Sequence, residues 1–195
     1  MSAAEGGAPR ARHLPDARPE YAALGFICLA PMHGYDLHNA IQERLRRVWR
    51  LSQSQLYAVL KRLEAQGLIL AQLEEGERRK PRRVFSATEV GRERFGLWLN
   101  APSDCSTRIL RLEFLTRLFF ARELAPASLA SIVAEQEAAV RRQLASHRKL
   151  LEAMASTDPI SRLGMDLKVR QLASVLAWFE ESLPTILEEL PENPL

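Results

Sequence analysis

The sequence predicts a mainly α-helical protein: a front domain of short helices closed by a small two-stranded β hairpin, then a back domain of longer helices. Three observations carry this expectation. Apolar residues recur at three- and four-residue steps through most of the chain. The stretch 68–87 alternates instead, around a polar, turn-prone run. The composition changes at Asn100–Ser106 (NAPSDCS), after which the helical segments lengthen.

Composition narrows the class. With 47% hydrophobic and 26% charged residues the chain fits a soluble globular protein. Its longest apolar runs, such as Tyr21–Met32, fall short of the roughly 20 residues a membrane crossing requires. The first twenty residues lack the apolar region of a signal peptide, so a cytoplasmic protein without a membrane partner is expected. The net charge of +3 is unevenly spread, +5 over residues 1–100 and −2 over 101–195. A polyanionic partner would therefore meet the front domain.

Residues 1–19 are rich in Ala, Gly, Pro and Arg, and read as a disordered arm. Its Arg10, Arg12 and Arg18 either trail in solvent or reach a minor groove. Tyr21–Leu29 is a short apolar helix ending near Pro31, and PMHGY is a turn. A second helix follows from about Tyr35 to Val48, with Leu37, Ile41, Leu45 and Val48 on one stripe. Arg44, Arg46, Arg47 and Arg50 crowd its C-terminal end, where cations complement the helix dipole; phosphate contact is the second reading of the same residues.

Leu51–Leu68 (LSQSQLYAVLKRLEAQGL) organises the front domain. Ser52 and Gln55 have capping-box spacing, and Gly67 sits where a chain leaves a helix through a left-handed residue. Leu56, Val59, Leu60 and Leu63 form the apolar face. The opposite face carries Ser54, Gln55, Ala58, Lys61 and Arg62, with Tyr57 on its flank and no acid. Such a face suits a DNA major groove: Arg or Lys donates to guanine, Gln to adenine, and Ala admits a thymine methyl. A plain solvated face is the alternative. Next, 68–74 and 82–87 read as the two hairpin strands, with Arg78, Arg79, Lys80, Arg82 and Arg83 at or beside the tip. Thr88 caps a closing helix whose Val90, Phe95 and Trp98 face inward. This is the order of a winged helix-turn-helix, with the third helix in the major groove and the wing on phosphates. The expected DNA-binding set is Ser52, Ser54, Gln55, Tyr57, Ala58, Lys61, Arg62, Arg78, Arg79, Lys80, Arg82 and Arg83.

HGYDL at 33–37, LSQSQLYAVLKRLEAQGLI at 51–69 and PRRVFSATEVGRE at 81–93 together resemble the PadR-like transcriptional regulators, in the right order and spacing across about residues 21–93. Many members carry Gly-Thr where this chain has Ser54-Gln55, so operator preference does not transfer. The resemblance implies a dimeric winged-helix repressor, less often an activator, that releases DNA on binding a small molecule. The back half is similar to the helical extension of the longer members.

That half reads as three helices. Residues 107–124 are apolar around most of the helix and so buried. Pro126 starts a helix to about Met154 with a seam of Leu129, Val133, Val140, Leu144, Leu151 and Met154; Gln136 and His147 fall in its gaps, as solvated edge positions or as register and pH-sensing devices. Asp158 and Pro159 open the last helix, seamed by Met165, Val169, Leu172, Leu176, Phe179 and Leu183, with Pro184 ending the regular part. These seams, Met154 apart, are the expected dimerisation surface, since two recognition helices on a twofold axis read a palindrome. The expected units are the arm 1–19, a winged helix DNA-binding domain 20–100 and a helical dimerisation domain 106–190.

No catalytic, metal or cofactor motif emerges. His13, His33, His38 and His147 are scattered, and no phosphate-cradling glycine loop is present, so an enzyme is not expected. Cys28 reads as core. Cys105, in the linker, is structural or, as the lesser reading, a redox-sensing thiol. The aromatic residues Trp49, Phe95, Trp98, Phe114, Phe119, Phe120, Trp178 and Phe179 serve as core or line an effector pocket at the domain junction. The function expected is a homodimeric repressor of a palindromic operator, released by a small-molecule effector; the alternatives are an activator needing a partner protein, or a winged-helix scaffold that binds protein.

Overall fold

Helix α1 (Pro19–Leu29) is the centre of the front domain, with seven consecutive residues, Tyr21–Ile27, buried on all sides. A computed structural model describes residues 17–76, 79–154 and 158–189; Arg10 and Arg12 of the expected arm, and Arg78 of the wing, lie outside them. Helices α2 (Gly34–Arg44) and α3 (Gln53–Ala65) pack against α1, as does α4 (Glu89–Asn100). Leu37, Ile41, Leu56, Leu60 and Leu63 fill the space between them.

Two expectations about the chain before α3 need correction. Met32–His33, read as part of a turn, is a short strand, β1, paired antiparallel with β3 (Arg79–Ala87), which also pairs with β2 (Ile69–Gly76). The sheet is therefore three-stranded, in the order β1-β3-β2. Two residues are too few to show a period, and their partners, Phe85 and Val84, lie fifty residues away. Helix α2 also stops at Arg44 instead of continuing to Val48. The chain turns at Leu45, whose carbonyl accepts from the N–H groups of both Val48 and Trp49. That turn sends Trp49 inward, where its indole donates to Thr116 Oγ1 at 2.7 Å.

Both ends of α3 are closed as the sequence indicates. Ser52 Oγ accepts from Gln55 N, and Gln55 Oε1 accepts from Ser52 N, which completes the capping box. At the other end Gly67 has φ +67°, and Leu68 N donates to Leu63 O while Gly67 N donates to Glu64 O. This is a Schellman stop, sealed by the apolar pair Leu63 and Leu68. Thr88 locks the same corner: its hydroxyl accepts from Gly91 N and reaches the carbonyls of Gly67 and Leu68. A Cβ on Gly91 would stand 2.0 Å from Leu68 O, so α4 can approach this closely only through glycine. Of the inward residues expected in α4, Phe95 and Trp98 are buried, but Val90 is 59% exposed; Gly91 takes the inner position.

In the back half α5 (Thr107–Ile109) passes through a π-helical turn, Leu110–Phe114, into α6 (Leu115–Leu124). After a 3-10 turn at Pro126–Ser128, α7 (Leu129–Ala153) and α8 (Pro159–Ala177) form a long antiparallel pair. Asp158 caps α8 by accepting from Ser161 N. A second π-helical turn, Trp178–Ser182, leads into α9 (Leu183–Glu189). The regular structure thus continues past Pro184, which directly follows the π-helical turn, where the backbone ladder is already loosened.

The α5–α6 rod joins the halves. Glu113 accepts from the Arg18 backbone N at 3.2 Å and pairs with its guanidinium; Glu123 pairs with Arg44 at 2.8 Å. The buried Arg117 donates to Trp98 O at 2.8 Å and to Ser103 Oγ, and lies 4.7 Å from the Trp98 ring centroid. Burial pushes the Arg117 pKa down to about 10, against the opposing pull of Glu113, so it remains cationic at neutral pH. Phe120 packs edge-on against Phe26 and Phe95, and over Gly25, where a Cβ would lie 2.4 Å from its ring.

The linker is not a solvated tether. Ser103 and Cys105 are buried, and Gln136, expected at a solvated edge, is 1% exposed and clamps Ser103, accepting from its N at 2.6 Å and donating to its O at 3.1 Å. His147 is half-buried, with its Nδ1 enclosed. Both thiols are pushed up to about 11, chiefly by burial; Arg92 opposes this at Cys28, while at Cys105 Asp104 adds to it and Arg142 opposes. This runs against a sensing role for Cys105, because reactive thiols are exposed and of low pKa.

Two outcomes are expected. Gly91→Ala should lower the melting temperature, whereas Gly96→Ala, whose Cβ meets open space in the same helix, should raise stability by up to about 1 kcal/mol. Thermal melts of the pair check this. At pH 8 a maleimide should modify both thiols roughly a hundredfold more slowly in the folded chain than in denaturant, the ratio that a two-unit pKa rise implies.

Candidate nucleic-acid interface

The periodicity of α3 separates two faces. Leu56, Val59, Leu60 and Leu63 are buried, while Ser54, Gln55, Tyr57, Ala58, Lys61 and Arg62 are exposed, together with Ser52 at the cap. No carboxylate stands on that outer face; Glu64, at its edge, turns toward the wing and pairs with Arg83 at 2.5 Å. Tyr57 is held by its neighbour in space: a Cβ on Gly34 would lie 3.0 Å from its hydroxyl oxygen, so glycine at the start of α2 lets the ring pack there.

Hydrogen bonds limit what each side chain can read. Gln55 uses its carbonyl oxygen in the capping box, which leaves only the NH2 group to donate outward. Bidentate pairing to adenine needs both groups, so Gln55 can read adenine in that way only if the box opens. Ser52 and Ser54 contact each other through their hydroxyls at 3.0 Å.

The cations divide into held and unheld. Arg62 is paired with Glu20 of α1 at 2.7 Å, and Arg83 with Glu64. Among the described residues Lys61, Arg82, Arg46, Arg47 and Arg50 make no ion pair or hydrogen bond. Arg79 and Lys80 belong to β3 at the wing tip, where Arg79 is registered against Gly76. Beside the wing, His33 contacts Glu74 at 3.2 Å and Arg83 O at 3.3 Å. It borders a polar cleft of about 510 Å³ that includes Tyr35, Tyr57, Arg82 and Arg83. The ion pairs of Arg62 and Arg83 were not legible in the sequence, since their carboxylates come from other elements.

The expected dimer seams are largely occupied within the chain. Val140, Leu144, Leu172, Phe179 and Leu183 are buried in one chain, and Leu129, Val133, Val169 and Leu176 pack against the same core. Leu151 and Met165 are half-buried. Sequence reasoning missed the outward face: Ile160, Leu163 and Leu167 of α8 are 77%, 66% and 57% exposed. Of the aromatic residues read as core or as pocket lining, Phe95 packs on Trp98 at 5.6 Å and on Phe120 at 5.4 Å within the core, whereas Phe114 and Trp178 border a cavity. An apolar cavity of about 340 Å³ lies on the far side of the α5–α6 rod, walled by Leu110, Phe114, Leu115, Val175 and Trp178, with Arg111 at its rim. No helix among the described residues is long and apolar enough to cross a membrane, and among them no cluster of three or more metal-ligating side chains occurs.

Comparison with known proteins matches this layout. Residues 24–97 match the transcriptional regulator PadR-like family, and residues 110–186 match the virulence activator alpha C-terminal family. A curated relative, the negative transcriptional regulator PadR of Bacillus subtilis (strain 168), is 25% identical over 146 residues, covering 73% of this chain and 78% of the relative. The crystal structure of Bacillus subtilis PadR in complex with operator DNA is similar at 21% identity and a TM-score of 0.43, over 86% of this chain and 98% of that one. The same protein in complex with p-coumaric acid is similar at 21% identity and a TM-score of 0.39, over 88% and 99%. Residues 24–97, which hold most of the four helices and the basic wing of the front domain, thus match the PadR-like family of transcriptional regulators.

Proposed function

We propose that the chain is a homodimeric, sequence-specific DNA-binding repressor that reads a palindromic operator and is released by a small-molecule effector. The observation that carries this is α3, a helix capped at both ends that buries its leucines and presents a face of Ser54, Gln55, Tyr57, Ala58, Lys61 and Arg62 to which the helix itself contributes no carboxylate. Arg82 and Arg83, with Arg79 and Lys80 nearer the wing tip, would meet phosphates beside the groove, adding affinity and register but no sequence information. The Bacillus subtilis relative is a negative transcriptional regulator, which supports repression.

The dimer reading rests on the α7–α8 pair. Since its inner seam is used within the chain, a second copy would cover the outer stripe of Ile160, Leu163 and Leu167, whose exposure suits an interface better than open solvent. An effector would enter the apolar cavity behind the α5–α6 rod, whose opposite side bonds to Arg18, Trp49 and Trp98 of the front domain. Activation is the second reading, supported by the virulence-activator match over the back half. A reporter gene placed behind the selected operator separates the two by the sign of its response.

Selection of duplexes from a random pool tests the reading directly. Enrichment of an inverted repeat with half-sites one helical turn apart, or a multiple, is expected; no enrichment over shuffled controls would reject it. Replacing Lys61 or Arg62 by Gln should then relax base preference at single positions by about 1–3 kcal/mol each. Glu20→Gln, which frees Arg62 from its ion pair, should tighten operator binding, as measured by titration at fixed salt.

A further inference from the structure

We propose that Arg46, Arg47 and Arg50 form a second phosphate seat, which grips the DNA backbone next to the N-terminal end of α3 and outside the groove that α3 reads. The proposal rests on the DNA-binding reading above and adds a contact site to it. The three arginines line a cleft of about 740 Å³ together with Gln42, Leu51, Ser52 and Gln55. No carboxylate lines the cleft, and among the described residues none of the three arginines has a partner. Three cations within five residues repel one another, and an anion is what would offset that repulsion.

The loop that carries them is fixed in place. Leu51 O accepts from Gln42 Nε2 at 3.0 Å and meets His38 Nε2 at 3.0 Å, which ties the loop back to α2. Trp49 is buried and bonded to Thr116. Arg50 therefore stands between two anchored neighbours, and Arg46 and Arg47 emerge from the turn that Leu45 closes. All three are exposed, although the backbone beneath them is held. A flexible basic tail would have to be ordered on binding; this loop is already ordered.

Position identifies the anion. Ser52 and Gln55 belong to the first turn of α3 and to the wall of the cleft, so a phosphate held there lies at the positive end of the recognition helix. When α3 enters a major groove N-terminal end first, the group beside that end is the strand that borders the groove. The dipole reading of these arginines accounts for cations near the end of α2 at Arg44, but not for their meeting the first turn of α3 in one cleft.

The test compares the intact wild-type chain with the Arg46→Gln/Arg47→Gln/Arg50→Gln variant on the selected operator between 50 and 200 mM salt. The variant's salt slope should be smaller by about 1.8, at about 0.9 for the one phosphate held by each of two copies, so that wild type loses roughly twelvefold more affinity than the variant over that range. The enriched sequence should stay the same. An unchanged slope in a variant with a native melting curve would overturn the seat and leave the DNA reading standing. If the triple variant melts abnormally, phosphate-ethylation interference on the wild-type chain decides the matter: interfering phosphates beyond those removed by wing variants support the seat, and their absence overturns it. A wild-type chain that enriches no duplex overturns the DNA reading and the seat together.

Discussion

Arg117 brings a full positive charge into an interior that is otherwise mostly apolar, and the contact between the two halves is arranged around it. An unpaired buried ion costs several kcal/mol, so the side chain must find partners there. Those it has come from three different elements: the Trp98 carbonyl at the end of α4, the Ser103 hydroxyl in the linker, and Glu113 at 3.8 Å one turn before it. Glu113 in turn holds Arg18 at the entrance to α1. A single docking angle between winged domain and helical rod satisfies them all. The apolar contacts of Phe120 with Phe26 and Phe95 supply the attraction, and the charged cluster selects the orientation.

The rod that docks this way has a second side. Leu110, Phe114 and Leu115 wall the apolar cavity, and Trp178, from the other π-helical turn, closes it. A π-helical turn loosens the regular ladder of a helix and often marks a functional position. Here two of them flank one cavity. Residues 113, 116 and 117, which touch Arg18, Trp49 and Trp98, stand one to three positions from residues that touch the cavity. One short helix thus carries both surfaces.

Local signals made much of the front domain legible from sequence. The capping box of Ser52 and Gln55, the left-handed Gly67 and the Thr88 cap depend on residues within a few positions of one another, and periodicity sorted the buried leucines of α3 from its exposed face. Long-range geometry was not legible. Met32–His33 forms a strand only because β3 lies beside it, and Gln136 is buried only because the linker turns its Ser103 backbone toward α7. Val90 was read as inward because it is apolar, but the close approach of α4 to Leu68 admits only Gly91 at that position. The seam of α7 and α8 was visible as a pattern, yet a pattern does not tell a partner in the same chain from one in another. The charges of the candidate site were visible too; which were already neutralised, Arg62 by Glu20 and Arg83 by Glu64, was not.

The corner where α3, β2 and α4 meet has a kinetic consequence. Leu68 N closes the end of α3, its carbonyl lies against Gly91, and the Thr88 hydroxyl spans the two, so recognition helix, wing and closing helix share one joint. Such a head has little slack to lose when it meets a partner, and the ordering entropy falls on folding. Association then needs no local folding step. Encounter is left to be governed by diffusion, orientation and the long-range field of the basic front half.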